Sequence, residues 1–225
     1  MKILTFDTSL DKMYIALSED KEVQFSTIVE NSKEKYHSAY LIPTIAALLK
    51  EKSLTMQNIG AIGVNIGPGS FTGIRAGLTV ARVMGQALDI PVVGVSSLEI
   101  ISTINNTSKD TLCVLDARKE MAYTAIYNSN TEVMLEPQAL LLDEVFEKAQ
   151  NDYCIVADSK MEKLLAQKNI ASVNFQSTNH DFGKSLAKLT FEHLQKAKES
   201  EYNWYNCKPL YIQPPPISMP KKVVV

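Results

Sequence analysis

A glycine-rich turn links a predicted strand to a predicted helix in the stretch Ile66-Gly67-Pro68-Gly69-Ser70-Phe71-Thr72-Gly73-Ile74-Arg75-Ala76-Gly77-Leu78. The residues before it, 60–66, are of the apolar, β-branched kind typical of a buried strand. Ser70 is suited to cap a helix that we predict to run to about Leu88. At such a junction the first N–H groups of the helix face the turn, an arrangement that can bind an anion.

The elements around this turn repeat in order. In the first half we predict strands at 3–6, 13–18, 22–28, 60–66 and 91–95, with helices at 38–52, 70–88 and from 96 or 97. In the second half we predict strands at 112–115, 122–127, 132–135, 153–157 and 172–175, with helices at 141–149, 160–168 and 182–198. Two facing βββαβα units are the layout of the actin, Hsp70 and sugar-kinase group, so we predict that α/β fold.

The predicted subdomains are residues 1–105 and 106–208, followed by an extended, proline-rich tail at 209–225. In the actin-like group a nucleotide lies between the halves, and each half offers a carboxylate at the end of its first strand. Asp7 and Asp116 occupy those two places, and Gly67 and Gly69 could approach a phosphate. The competing interpretation is that both aspartates are ordinary turn residues at strand ends.

The glycine turn does not match the stricter phosphate or nucleophile motifs. A Rossmann pattern started at Gly67 needs a glycine where Thr72 stands, and a P-loop needs lysine after Gly73, where Ile74 follows instead. The G-x-S-x-G pattern of a nucleophile elbow is absent. We therefore predict no catalytic residue in this turn.

A stripe of small residues runs along the helix after the turn at every fourth position: Gly73, Gly77, Ala81 and Gly85. Glycine inside a helix costs about 1 kcal/mol relative to alanine, so close packing against a neighbour should compensate. That neighbour is the 38–52 helix of the same chain, a helix of another subunit, or both. Arg75 and Arg82 share one face of this helix, where they either anchor a partner's carboxylate or are solvated.

Bulk composition indicates a globular protein. Hydrophobic residues make up 45% of the 225 residues, enough for a packed core. The net charge of −2 and the scattered basic residues argue against direct grip on nucleic acid. The three cysteines lack metal-ligand spacing, and no signal peptide or membrane span is evident, so we predict reduced thiols and a cytoplasmic location.

Several motifs together resemble the TsaB (YeaZ) family. They are the 67–75 turn quoted above, Pro91-Val-Val-Gly-Val-Ser-Ser-Leu-Glu99, Phe6-Asp7-Thr8-Ser9, His37-Ser38 before a leucine-rich helix, and Leu115-Asp116-Ala117-Arg118. The resemblance is strong over residues 1 to about 128, with Pro209-Leu-Tyr-Ile212 as an echo near the end.

The resemblance separates this chain from TsaD, the catalytic paralogue of the same fold. TsaD-like proteins hold a metal on two histidines spaced i, i+4, and Ser97 and Ile101 stand at those positions here. Catalytic relatives also place glycines after the second aspartate, where this chain has Ala117-Arg118-Lys119-Glu120. The resemblance therefore implies no catalytic residue, no metal, and no required cofactor, with weak or interface-bound ATP or ADP left open.

What the resemblance implies instead is a scaffold. TsaB-like proteins pair with TsaD through their first two helices and recruit the ATPase TsaE, so that tRNAs reading ANN codons gain N6-threonylcarbamoyladenosine. We expect a homodimer when TsaD is absent, and only indirect contact with tRNA. The expected interface residues are Leu41, Ile45, Leu48, Gly73, Arg75, Gly77, Ala81, Arg82 and Gly85. A stand-alone ATPase or small-molecule kinase, and more remotely a glycoprotease-like peptidase, are the alternatives.

Overall fold

The first half of the chain folds around a five-stranded mixed sheet. The computed structural model describes residues 1–30, 37–196 and 199–213. The strands of this sheet are β1 (Lys2–Asp7), β2 (Met13–Glu19), β3 (Glu22–Val29), β4 (Ala61–Gly67) and β5 (Val92–Ser96). They lie in the order β3-β2-β1-β4-β5, with β1, β4 and β5 parallel and β2 antiparallel to its neighbours. The parallel strands are almost wholly buried, as their apolar sequences predict.

The second half repeats this sheet. Its strands are β6 (Thr111–Asp116), β7 (Met121–Tyr127), β8 (Val133–Leu141), β9 (Cys154–Ala157) and β10 (Val173–Asn174). Their order is β8-β7-β6-β9-β10, so each strand has a counterpart in the first sheet at the same place. The two like halves confirm the predicted actin, Hsp70 and sugar-kinase type of fold.

One strand is longer than its sequence suggested. We predicted a strand at 132–135, which ends two residues before Pro137. In the structure β8 continues through Pro137 to Leu141. The strand lies at the edge of its sheet, where one side needs no hydrogen bonds, so a proline is tolerated there.

Six α-helices cover the sheets within the described residues. They are α1 (His37–Glu51), α2 (Phe71–Leu88), α3 (Ser97–Ser102), α4 (Leu142–Lys148), α5 (Ser159–Gln167) and α6 (Phe182–Lys196). The hydroxyl oxygen of Ser70 accepts from the Gly73 N–H at 3.2 Å and caps α2, as predicted. None of the helices in the described part of the chain is long and apolar enough to cross a membrane.

The last helix returns to the first sheet. Although α6 follows every strand of the second sheet in sequence, it packs against β1, β2, β3 and β5. Trp204 and the buried Cys207 also join the apolar cluster of the first half. The predicted subdomain boundary near residue 105 stays a prediction. The two sheets divide there, but α6 lies after the boundary in sequence and packs against the sheet before it. Of the predicted tail at 209–225, residues 214–225 lie outside the described part.

Candidate functional site

Asp7 lies where the actin-like fold would place a nucleotide-binding carboxylate, at the carboxyl end of β1. Its carboxylate is buried and fully engaged by the chain itself. The Ser9 N–H and hydroxyl donate to Oδ1 at 2.6 and 2.7 Å, and Asn65 Nδ2 donates to Oδ2 at 2.9 Å. Burial raises the pKa of Asp7 above its ordinary value, and the bonds from Ser9 and Asn65 oppose that shift. In this arrangement Asp7 ties the β1 loop to β4.

Asn65 is the centre of this polar network. Besides donating to Asp7, its Oδ1 accepts from the Gly67 N–H and from the Ser97 hydroxyl, both at 2.8 Å. The side chain therefore links β1, the glycine turn and α3 through three hydrogen bonds in the buried interior. A buried polar side chain stabilises the fold only when all the members of its hydrogen-bond network have partners.

Replacing Asn65 with alanine is therefore expected to lower the free energy of unfolding by about 3 kcal/mol, because Asp7 and Ser97 both lose a buried partner. Urea denaturation of the variant would measure the loss. Asn130→Ala, at an exposed position in the β7–β8 turn, is the matched control and should change stability by less than about 0.5 kcal/mol. Equal stability of the two variants would show that the network contributes nothing.

Asp116 lies at the equivalent end of β6, but its surroundings differ. It is partly exposed, and Oδ1 pairs with Lys160 Nζ at 2.8 Å. The next three exposed residues, Arg118, Lys119 and Glu120, all have positive φ, between 50° and 62°. L-residues adopt this conformation at a cost of about 1 kcal/mol or more each, which glycine avoids. The turn thus keeps the left-handed path of a glycine loop while carrying bulky side chains.

The Gly67–Ser70 turn is closed against the β1 loop. The Ser70 N–H donates to the Ser9 carbonyl at 2.9 Å, so it is already occupied. Gly67 has φ +100°, a conformation that favours glycine, and a Cβ on Gly69 would lie 2.7 Å from the Ser9 carbonyl oxygen. Both glycines are therefore accounted for by the local fold. Their predicted role toward a phosphate stays a prediction.

The residues at the metal-ligand positions of TsaD-like proteins do not fit a metal. Ser97 is fully buried and its hydroxyl is committed to Asn65. Ile101 is fully buried in the apolar core. Across residues 1–30, 37–196 and 199–213, His, Cys, Asp and Glu side chains form no group of three that could hold a metal ion.

The predicted contact stripe on α2 is wrong as a partner surface. Gly73 and Gly77 pack against the β1 loop: a Cβ on Gly73 would overlap the Thr8 carbonyl oxygen, and one on Gly77 would lie 2.8 Å from Thr8 Oγ1. The Thr8 hydroxyl donates to the Gly73 carbonyl at 2.7 Å across the same contact. Gly85 similarly packs on Val92. The compensating neighbour is thus the chain's own sheet.

The apolar residues predicted on α1 are equally enclosed. Leu41, Ile45, Leu48 and Ala81 are at most 3% exposed and belong to the core of the first half. Their side chains face inward, because the regularly spaced apolar residues that identify an amphipathic helix are the ones that pack against the core. Of these four, only Ile45 also lines the surface groove that Ile42 and Met84 border.

The exposed apolar surface of these helices lies on their other faces. Ile42 is 57% exposed and Val83 is 58% exposed. A groove of about 360 Å³ between the helices is lined by Ile42, Ala46 and Met84, among others. We call the following set the α1–α2 seam: Ile42 and Ala46 on α1, with Val80, Val83, Met84 and Ala87 on α2. The sequence indicates this seam through the heptad-like spacing of residues 80, 83 and 87. The interface prediction used the small-residue stripe on the same helix instead of this spacing.

The two arginines expected at a partner interface are engaged within the chain. The Arg75 guanidinium lies 4.0 Å from the centroid of the Phe71 ring, and its Nε donates to the Tyr211 hydroxyl at 3.0 Å. The Arg82 guanidinium lies 5.8 Å from the centroid of the Trp204 ring. Both therefore connect α2 to the C-terminal segment, and neither needs a partner's carboxylate.

The comparisons with known proteins give two family names, TsaD for the family model and TsaB for the curated relative. The sequence model of the family described as "TsaD: tRNA N6-adenosine threonylcarbamoyltransferase" matches residues 16–213. The Bacillus subtilis protein named tRNA threonylcarbamoyladenosine biosynthesis protein TsaB is 31% identical over 209 residues, covering 89% of each chain. A 46% identical stretch of 91 residues is shared with an uncharacterized Mycobacterium tuberculosis protein, covering 40% of this chain and 42% of that protein.

Two solved structures from Pseudomonas aeruginosa share the fold. One is described as an uncharacterized protein with similarity to peptidase YEAZ; it has a TM-score of 0.73 and 20% identity, covering 94% of this chain and 99% of its own. The other is described as YeaZ, with a TM-score of 0.67 and 21% identity, covering 89% and 97%. At these identities the structures support the fold alone.

Proposed function

Because the chain belongs to the TsaB (YeaZ) family, we propose that it serves tRNA threonylcarbamoyladenosine biosynthesis as a non-catalytic scaffold that pairs with TsaD through the α1–α2 seam. Curated relatives from Bacillus subtilis and Buchnera aphidicola carry that pathway in their names. The observation that carries the pairing is the apolar surface left open on two adjacent helices, with Ile42 and Val83 both more than half exposed. Exposed apolar surface of this kind marks interaction sites.

The seam suits a helix-to-helix contact. Val80, Val83 and Ala87 follow the 3–4 spacing with which one helix packs along another. On α1, Ile42 and Ala46 lie beside Met84 along the same groove. Two helices offering neighbouring apolar faces can complete a four-helix bundle with an equivalent pair from a partner of the same fold. TsaD is that partner, and a second copy of this chain would take its place when TsaD is absent.

The scaffold role also rests on the two strand-end aspartates, whose carboxylates already have partners within the chain. Asp7, the first carboxylate, already accepts three hydrogen bonds from protein groups. Asp116, the second, is paired with Lys160. Binding Mg²⁺ or phosphate there would require these bonds to be exchanged. We propose that catalysis belongs to TsaD, that TsaE joins the complex, that tRNA is contacted only indirectly, and that the assembly is cytoplasmic.

Pull-down with TsaD and TsaE, with and without ATP, tests this function. We expect TsaD to be retained by the immobilised chain, and the chain alone to show neither ATP turnover nor stoichiometric zinc or iron. Failure to retain TsaD, or saturable ATP hydrolysis that Asp7→Asn abolishes, would instead support a stand-alone ATPase or kinase.

A further inference from the structure

A cavity of about 410 Å³ lies where the first half of α6 meets the end of α3 and the turn between β7 and β8. Neither Asp7 nor Asp116 lines it, and it shares no residue with the α1–α2 seam. All of its lining residues except Leu189 are polar or charged. Its size is within the range of small-molecule sites, roughly 300–1,000 Å³. The lining therefore predicts a small and strongly polar ligand.

The charged wall of this cavity comes from α6 and the residues just before it. His180, Lys184, Lys188 and Glu192 follow one another at every fourth position and all line the cavity. Residues four apart lie on one face of a helix, so these side chains form a single stripe. Asp181 completes the charged groups that line the cavity among the described residues, because the α3 end and the β7–β8 turn contribute uncharged side chains.

The two lysines of the stripe are only loosely paired. Lys184 Nζ lies 3.8 Å from Asp181 Oδ2, and Lys188 Nζ lies 3.7 Å from Glu192 Oε1, which is longer than a hydrogen bond. Both lysine side chains are more than 60% exposed, and exposed pairs of this kind contribute little to stability. Two ammonium groups one helical turn apart can therefore turn toward a bound dianion, to which they would make shorter, charge-assisted hydrogen bonds.

The carboxylate of Asp181 has other partners. Its Oδ1 accepts from the Ser26 hydroxyl of β3 at 2.9 Å and from the Lys184 N–H at 3.2 Å. These bonds hold the carboxylate against the first sheet and the start of α6. Glu192, at the far end of the stripe, is thus the carboxylate that competes most directly with a bound anion for Lys188.

The opposite wall of the cavity offers hydroxyl groups on a fixed frame. Ser129 and Thr131 line the cavity from the β7–β8 turn. The turn is held by Asn128, whose Oδ1 accepts from the N–H groups of Asn130 and Glu132, both at 2.9 Å. A hydroxyl can both donate and accept a hydrogen bond. This wall therefore suits a ligand whose body carries hydroxyl groups.

His180 lies on the charged wall in a fixed position. Its Nε2 lies 2.9 Å from Ser185 Oγ, which in turn lies 2.7 Å from Thr103 Oγ1 on the α3 side. Burial lowers the pKa of His180 below its ordinary value, and the charge of Asp181 opposes that shift. The ring is therefore mostly uncharged at neutral pH. An anion held by the neighbouring lysines would favour the imidazolium and raise the pKa of His180.

We propose that this cavity binds a small hydroxylated molecule that carries a phosphate group. Lys184 and Lys188 hold the phosphate, and the hydroxyls of the β7–β8 turn meet those of the ligand. The site goes beyond the scaffold function, since it lies on α6 and the second sheet while the pairing with TsaD uses α1 and α2. The chain can thus respond to a small molecule without exchanging the bonds at Asp7 or Asp116.

Titration of the full chain, followed by NMR of the histidine ring signals at constant ionic strength, provides the first test. The probes are glycerol 3-phosphate, inorganic phosphate and glycerol. We expect saturable shifts of the His180 signals with both phosphate compounds, glycerol 3-phosphate binding at least ~3-fold more tightly because of its hydroxyls, and no saturation with glycerol. The titration midpoint of His180 with pH should move upward in bound protein. His193, which pairs with Glu99 at 2.7 Å farther along α6, is the internal control and should keep its signals.

Charge variants of the stripe are expected to change affinity in opposite directions. Lys184→Gln/Lys188→Gln should weaken binding of glycerol 3-phosphate at least ~10-fold, because two charge-assisted hydrogen bonds are lost. Glu192→Gln should strengthen it about 3-fold, because Lys188 loses its competing carboxylate. Lys163→Gln, at an exposed position of α5 outside the cavity, is the matched control and should stay within about twofold of wild type.

Several outcomes would overturn the proposal. They are the absence of saturation with both phosphate compounds, equal binding of glycerol and glycerol 3-phosphate, and unchanged affinity in the lysine double variant. Equal affinity for inorganic phosphate and glycerol 3-phosphate would remove the hydroxyl wall from the site. Equal weakening by Lys163→Gln would reduce the effect to overall charge, and so would His193 signals that shift along with those of His180. Wild-type His193 signals in each free variant show that it is folded, so that a loss of binding is a loss at the site.

Discussion

Gly73→Ala is expected to destabilise the protein by about 3 kcal/mol or more, the largest stability effect of any single methyl group added to α2. The new Cβ would overlap the carbonyl oxygen of Thr8, a backbone atom held in place by β1. A flexible side chain could rotate away, but here either α2 or the β1 loop must shift. That shift would also strain the bond from the Thr8 hydroxyl to the Gly73 carbonyl.

Urea denaturation monitored by circular dichroism would measure this loss, with Gly60→Ala as the matched control. A Cβ at Gly60 meets the side chain of Met1, which can move aside, so we expect a change below about 1 kcal/mol. If Gly73→Ala were as mild as Gly60→Ala, the close approach of α2 to the β1 loop would be incorrect.

Val83→Glu is expected to weaken binding to TsaD at least ~100-fold while leaving the monomer folded. Val83 is 58% exposed in the free chain, so a carboxylate there is solvated and costs little stability. In a seam-to-seam complex the same carboxylate would be enclosed by apolar side chains, and an unpaired buried charge costs several kcal/mol. The separation of these two effects distinguishes an interface residue from a core residue.

Titration calorimetry against purified TsaD, together with thermal denaturation of the free chain, measures both effects. Asn130→Glu introduces the same charge at an exposed position in the β7–β8 turn, outside both seam helices, so its affinity should stay within about threefold of wild type. Wild-type affinity of Val83→Glu would remove the seam from the pairing surface. Equal weakening by both variants would indicate a general charge effect.

The order of the strands and helices could be predicted from the sequence, because local apolar periodicity indicates most of them. The cap at Ser70 could likewise be predicted, because it depends on residues three apart. β8 could not be bounded correctly, because the tolerance of Pro137 depends on whether a strand lies at the edge, which only the finished sheet determines.

The contact stripe was misassigned for a related reason. A row of small residues predicts that something approaches closely, but it carries no information about what approaches. The partner of Gly73 is Thr8, 65 residues earlier, and no local pattern connects them. Similarly, the positions of Asp7 and Asp116 at strand ends were predicted, whereas the capture of Asp7 by Asn65 follows from the pairing of β1 with β4.

The return of α6 to the first sheet bears on the order in which the ribosome delivers the chain. Every strand of the first sheet has been synthesised by Ser96, yet the helix that covers β1, β2 and β3 ends only at Lys196. For about a hundred residues of translation, therefore, one apolar face of a formed sheet awaits its cover, and nascent chains with such faces are the ones that aggregate or engage chaperones. The amino-terminal half cannot finish folding before the carboxyl-terminal half has been made.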